Sequence, residues 1–250
     1  MKSISLFVNH PECSTDCCDG MIKALSPNYK VDLFNTDSDL LTVLNNTDIV
    51  AFPGGIGDAD SYDKFFRRKR ANMIADFVES KGYYLGICMG AYWAGSHYFD
   101  ILNDIEPVQY IKQPNADIRR SYSTVANVTW NGNPETMFFY DGCALTGNLE
   151  RAKIVSTYAN GDAMAIIQNR IGVIGCHPES QKYWYEKPRQ YISKHWHEER
   201  THKLLLDFVN TLIENDANIH ISKIEEEKSS CKENGGISKV ERFLADNFIL

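Results

Sequence analysis

Tyr83-Tyr84-Leu85-Gly86-Ile87-Cys88-Met89-Gly90-Ala91-Tyr92-Trp93 is the stretch on which the fold turns. Tyr83 to Ile87 is a short apolar run of the length expected for a buried strand, and the sequence after Gly90 predicts a helix from Ala91 to about Tyr98. Between them, Gly86-Ile87-Cys88-Met89-Gly90 has the form G-x-nucleophile-x-G at a strand-to-helix junction, the pattern of a nucleophile elbow. Such a bend strains the backbone of the residue at its apex, and flanking glycines let neighbouring chain come close. A thiol held there faces the start of a helix, where the dipole and unpaired N–H groups favour the thiolate. The Met89 amide would point at a negative charge developing on an attacked carbonyl oxygen. An isolated cysteine in a Gly-rich turn is more often a small buried apolar residue. Two further segments shift the weight toward chemistry.

The elbow sits in an alternating series. Ile4 to Val8, Val31 to Phe34 and Asp48 to Phe52 read as strands; about Cys17 to Leu25, residues 38 to 45, and Lys64 to Ser80 read as helices. The last carries Phe66, Met73, Ile74, Phe77 and Val78 at helical spacing. Strands and helices in strict alternation imply an α/β domain whose mainly parallel sheet is covered on both faces. The middle of the chain differs. Val108 to Lys112, Thr124 to Trp130 and Thr136 to Tyr140 are strand-like, with a turn signal at Asn131-Gly132-Asn133-Pro134. Ile154 to Tyr158, Ala163 to Gln168 and Ile171 to Gly175 follow, with Asn169-Arg170 between the last two. An amphipathic helix closes the domain from about Glu199 to Ile213. Residues 1–215 are therefore one domain, and 216–250, rich in charge and containing Gly235-Gly236, read as a flexible tail with a short terminal helix.

Gly175-Cys176-His177-Pro178-Glu179-Ser180 leaves a predicted strand. Cysteine catalysis uses an imidazole base and a carboxylate that orients it. His177 and Glu179, two apart on extended chain, point the same way, with Pro178 stiffening the link. Cys176 faces the opposite side and reads as a core thiol. Pro53-Gly54-Gly55-Ile56-Gly57-Asp58-Ala59-Asp60 leaves the carboxyl end of another strand, where open α/β sheets place their ligands. Its glycines can offer backbone N–H groups to an oxyanion; their spacing is not that of a dinucleotide fingerprint.

Together these segments resemble the class I glutamine amidotransferase-like superfamily. Phe52-Pro53-Gly54-Gly55, Tyr84 to Tyr92 and the opening Leu6-Phe7-Val8-Asn9 are most similar to its biotin-protein ligase N-terminal-domain-like, amidase-like branch. The resemblance spans about residues 3 to 212. It implies a flavodoxin-like three-layer sandwich with an antiparallel strand-rich extension, and a Cys-His-Glu triad of Cys88, His177 and Glu179. Gly55 and Met89 would form the oxyanion hole, and Gly54 and Tyr92 would contact substrate. Glutamine amidotransferases usually place a polar pair such as His-Gln directly after the elbow; here Ala91 and Tyr92 stand there. That departure, and the absence of a synthetase or biotin-ligase catalytic domain in this chain, imply a hydrolase of a small amide or other carbonyl compound. Two alternatives stay open: a non-catalytic binding or regulatory module, and a glutaminase subunit that needs a partner synthetase.

Composition narrows the partners. With 26 basic and 33 acidic residues among 250, the formal charge is −7, which argues against nucleic-acid binding. No segment has the apolar length of a spanning helix or the form of a signal peptide, so a cytoplasmic protein without membrane contact is expected. The seven cysteines then read as reduced thiols. Cys13, Cys17 and Cys18 lack a matching zinc pair, and His195, His197 and His202 read as surface histidines, so no metal and no cofactor are expected; the partner is a small-molecule substrate. Arg67-Arg68-Lys69-Arg70 reads as a solvated helix face. Tyr183, Trp184, Tyr185 and Tyr191 read equally as pocket walls or as cover for the sheet edge.

Overall fold

A computed structural model describes residues 1–56, 59–186 and 188–215. The chain divides into two units, Met1–Leu212 and Ile213–Leu250. The expected tail over 216–250, with its terminal helix, lies outside the described residues.

The first half alternates as the sequence predicts: β1 (Ser3–Phe7), α1 (Thr15–Leu25), β2 (Lys30–Phe34), α2 (Leu40–Asn45), β3 (Ile49–Phe52), α3 (Ala59–Phe65), α4 (Arg68–Ser80), β4 (Tyr83–Ile87) and α5 (Met89–Trp93). The second half is strand-rich: β5 (Ile105–Gln109), β6 (Thr124–Trp130), β7 (Asn133–Phe139), β8 (Cys143–Gly147), β9 (Lys153–Tyr158), β10 (Ala163–Gln168) and β11 (Ile171–Ile174). A helix over 200–215, α6, follows.

All these strands form one sheet, whose main path runs β2-β1-β3-β4-β11-β10-β9-β6-β7. The first five pair in parallel. With β11 as fifth strand, this is the flavodoxin-like order 2-1-3-4-5. From β11 onward the pairing is antiparallel, through β10, β9, β6 and β7, while β8 joins β10 to β5. The parallel strands are thus one contiguous half and the expected antiparallel extension continues the same sheet. β3, β4 and β11 are buried at every position, which is why they read as unbroken apolar runs. β2, at the edge, is largely exposed.

Five sequence readings are corrected. The single helix expected over Lys64 to Ser80 is two, α3 and α4, separated at extended Arg67 (φ −53°, ψ 152°). The break turns Phe66 into an aromatic cluster, with ring centroids 5.1 Å from both Phe7 and Phe99, while α4 turns Ile74, Phe77 and Val78 inward. The helix after the elbow starts at Met89 and ends at Trp93, because the chain folds back with Phe99 N–H on Trp93 O. Strand β5 begins three residues before the expected one, and its expected end is the 3₁₀ turn Tyr110–Lys112. Strand β8 was not expected at all; its short Cys143-Ala144-Leu145-Thr146-Gly147 has no alternation to betray it. The 6–7 hairpin turns on Asn131 and Gly132 alone, both at positive φ, and Asn133 already pairs with Trp130.

The basic run is exposed at Arg67, Arg68 and Lys69, as expected of a solvated face, whereas Arg70 is half-buried and donates to Thr36 O at 2.8 Å. Phe52 closes β3 and sits at the centre of the aromatic cluster, stacked on Tyr84 (5.3 Å) and packed on Trp93 of α5 (5.8 Å). Truncating such a ring to alanine costs about 3–5 kcal/mol. The cluster therefore fixes the ends of β3 and β4, and with them the two loops that bear the site. No helix among the described residues is long and apolar enough to cross a membrane.

Candidate active site

Cys88 lies at the apex between β4 and α5 with φ +50° and ψ −102°, the strained backbone a nucleophile elbow has. Close backbone approach explains the glycines on either side. A Cβ on Gly86 would lie 2.3 Å from Gly90 O, and one on Gly90 would lie 2.2 Å from Phe52 O. The Tyr84 hydroxyl donates to Gly90 O at 2.7 Å and the Cys88 amide donates to Ile174 O at 2.8 Å, so the bend is clamped to β4 and to the end of β11. Cys88 is 5% exposed, and its sulfur is 3.7 Å from Tyr140 O.

Parallel register sets Ile87 beside Ile174, so the chain leaves β11 next to the elbow. Three residues on, the His177 amide donates to Phe138 O at 2.9 Å and the ring turns inward. His177 Nδ1 is 2.8 Å from Glu179 Oε1. Both side chains are buried. The Thr201 hydroxyl on α6 donates to Pro178 O at 2.7 Å, holding the segment from behind. Burial opposes charge on the imidazole, yet the Glu179 carboxylate, with Cys88 and Cys17 nearby, outweighs it and holds His177 well above the ordinary histidine value. Glu179 Oε2 is buried without a hydrogen-bond partner among the described residues, so His177 is the group that compensates this carboxylate.

Cys88 and His177 line one cavity of about 280 Å³, with Gly55, Cys17, Phe138, Tyr140, Trp184 and Arg189 among its walls. The other predicted positions lie behind those walls. Gly54 backs onto the imidazole: a Cβ there would sit 2.6 Å from His177 Cε1 and 2.8 Å from Cys17 Sγ. Gly55 bridges Cys13, and the bonds of that bridge use the flanking residues, Ser14 N–H to Gly54 O and Ile56 N–H to Glu12 O. A Cβ on Gly55 would lie 2.9 Å from Met89 Sδ, so these two expected oxyanion positions are neighbours. The Tyr92 hydroxyl donates to Asp141 O at 3.2 Å, which props that loop against α5.

The sequence reading missed Cys17. It stands in the first turn of α1, which Ser14 caps by accepting from the Cys17 amide, and its sulfur is 3.8 Å from His177 Nδ1. Cys17, His177 and Glu179 present sulfur, nitrogen and oxygen within 4.8 Å of one another, the only set of three His, Cys, Asp or Glu side chains among the described residues placed to hold a metal ion. Burial pushes the Cys17 thiol up, against the pull of His177. The histidines expected on the surface are also corrected: His197 and His202 are buried, because Gln190–His195 forms a 3₁₀ turn and α6 begins only at 200. Cys176 is a core thiol, beside the Tyr158 hydroxyl. The aromatics divide: Trp184 lines the cavity, Tyr185 packs on Phe138, and Tyr183 and Tyr191 are exposed.

Residues 9–105 match the family described as biotin-protein ligase, N terminal. A glutamine amidotransferase from Thermotoga maritima is similar in structure at 14% identity and a TM-score of 0.58, covering 86% of this chain and 97% of its own. A glutamine amido transferase from Methylobacillus flagellatus is similar at 13% identity and a TM-score of 0.52, covering 77% and 75%. No curated protein matches the sequence. The resemblance read from the sequence is thus found in both comparisons, and the chain has the class I glutamine amidotransferase-like fold.

Proposed function

We propose that this chain, on a class I glutamine amidotransferase-like fold, is a cysteine-dependent hydrolase of a small amide or related carbonyl compound. Cys88 is the nucleophile, His177 the base and Glu179 the residue that orients and charges the imidazole. One observation carries the reading: a cysteine at positive φ on a strand-to-helix bend shares a cavity with a histidine whose Nδ1 is 2.8 Å from a buried carboxylate. Buried carboxylates are rare without a task or a partner.

With Nδ1 engaged by Glu179, Nε2 exchanges the proton with the Cys88 sulfur. The thiolate adds to the substrate carbonyl, and the oxyanion forms beside the amides of Gly55 and Met89. Imidazolium returns the proton to the leaving amine as the C–N bond breaks, which leaves a thioester on Cys88. A water molecule, deprotonated by His177, then attacks the thioester, and the thiolate leaves with the acid product. Small cavity volume favours a small substrate, in line with Ala91 and Tyr92 replacing the polar pair usual after the elbow.

Ammonia or amine release from a panel of small primary and secondary amides tests this. Turnover that falls on the order of 10³-fold or more in Cys88→Ala, with the far-ultraviolet spectrum unchanged, supports it. Turnover indifferent to Cys88, or none across the panel, refutes it.

A further inference from the structure

The cavity wall carries a cation, Arg189, that the triad does not use. Arg189 is half-buried; its Nε donates to Ser123 Oγ at 2.9 Å, and its guanidinium carbon lies 6.0 Å from the Phe138 ring centroid. That same ring is 5.9 Å from the His177 ring, edge to face. Arg189 makes no ion pair among the described residues, although the chain as a whole is acidic. Cys88, His177, Phe138, Ser123 and Arg189 all face the same cavity of about 280 Å³.

A half-buried guanidinium without a carboxylate partner is costly to leave so, and one pinned through Nε presents its two terminal nitrogens as a fixed fork. That fork fits a planar oxyanion, held by two parallel hydrogen bonds. Asp16, the other charged wall residue apart from His177, is exposed on α1 and forms no ion pair with Arg189. The Phe138 ring neighbours both groups, 6.0 Å from the guanidinium carbon and 5.9 Å from the imidazole, so the two lie at most about 12 Å apart. A ligand that spans this distance has its reacting carbonyl at Cys88 and its anion at Arg189.

We propose that the substrate is a small amide bearing a carboxylate a few bonds from the reacting carbonyl, such as a half-amide of a dicarboxylic acid, and that Arg189 anchors that carboxylate. The proposal rests on the assignment of Cys88 and His177 above, and its test does not require turnover. Two alkylating reagents of equal length are compared, N-iodoacetyl-β-alanine and its primary amide, with modification of Cys88 followed by mass spectrometry at neutral pH. The carboxylate reagent should react at Cys88 about tenfold faster in the wild-type protein, and Arg189→Gln should bring the ratio of the two rates close to one. Glutarate should also protect Cys88 from the neutral reagent where glutaramide does not. Equal rates in the wild-type protein, or a preference that survives Arg189→Gln in a variant of unchanged thermal midpoint, overturns the proposal. A charge preference without turnover of any amide leaves the anchor standing and removes the hydrolase; turnover without a charge preference does the reverse.

Discussion

His202 on α6 directs Nε2 at the carbonyls of Glu179 and Ser180, at 3.1 Å and 2.9 Å, from more than twenty residues further along the chain. Both carbonyls belong to buried residues. Replacing the ring leaves them without a donor, at a cost of about 1–3 kcal/mol. His202→Leu should lower the urea midpoint by that amount and slow alkylation of Cys88 less than it lowers stability, while His202→Gln, which can still donate, should recover part of the loss. An unchanged midpoint in His202→Leu would show that α6 does not hold this segment.

Two histidines should give the stability curve opposite slopes. The pKa of His177 is raised in the folded protein, so its contribution is complete below the unfolded value near 6.5 and is lost as pH climbs through the folded value. His197 goes the other way: burial, with His202 and Arg200 nearby, holds it down at about 4. Its contribution is complete above about 6.5 and is lost as pH falls from there toward 4. Urea unfolding from pH 4 to 9 should therefore show stability declining on both sides, with Glu179→Gln flattening the alkaline limb and His197→Gln the acid one. A curve whose alkaline limb ignores Glu179 would remove the ion pair from the account.

The parallel half of the fold was legible because β3 and β4 are buried throughout, β1 at all but its first residue, and each is followed by a helix, leaving apolar runs between Gly, Asn and charged punctuation. The antiparallel half was less so. β8 is five residues of mixed polarity, recognisable only through its partners β5 and β10. For the candidate site, Cys88 and the His177–Glu179 pair could be read from local pattern: a bend needs glycines, and two residues separated by a proline share a side. Cys17 could not, because its proximity to His177 comes from α1 packing across Gly54 after 160 residues of intervening chain. The burial of His197 and His202 depended likewise on a helix start that the sequence put one residue early and on a 3₁₀ turn it did not announce.

Gly90 has no room to grow. An added methyl group would meet Phe52 O at 2.2 Å, and that carbonyl belongs to the last residue of β3, with the aromatic cluster fixing it from the other side. Relief requires the elbow and β3 to part, so Gly90→Ala should cost roughly 1–3 kcal/mol. Displacing Cys88 from the cavity, it should also slow alkylation there more than at any other cysteine. Denaturation and peptide-resolved labelling of one sample measure both; a stable Gly90→Ala protein with normal Cys88 labelling would show that the bend tolerates a side chain.

Cys17 and Cys88 line one cavity with His177, and the proposed mechanism assigns the nucleophile to only one of them. Cys17 approaches Nδ1, the nitrogen already 2.8 Å from Glu179, and burial raises its thiol, so its sulfur competes for a position that is taken. Cys88 alone occupies the strained bend beside the oxyanion positions. Cys13 and Cys176 are buried elsewhere, with thiols pushed up to about 12, and provide internal standards for unreactive sulfur. Iodoacetamide at neutral pH should therefore modify Cys88 first. Cys17→Ala should retain turnover within about tenfold, whereas Cys88→Ala should lose on the order of 10³-fold or more. The reverse order, with Cys17→Ala inactive and Cys88→Ala active, would move the chemistry to α1 and make the elbow a structural bend.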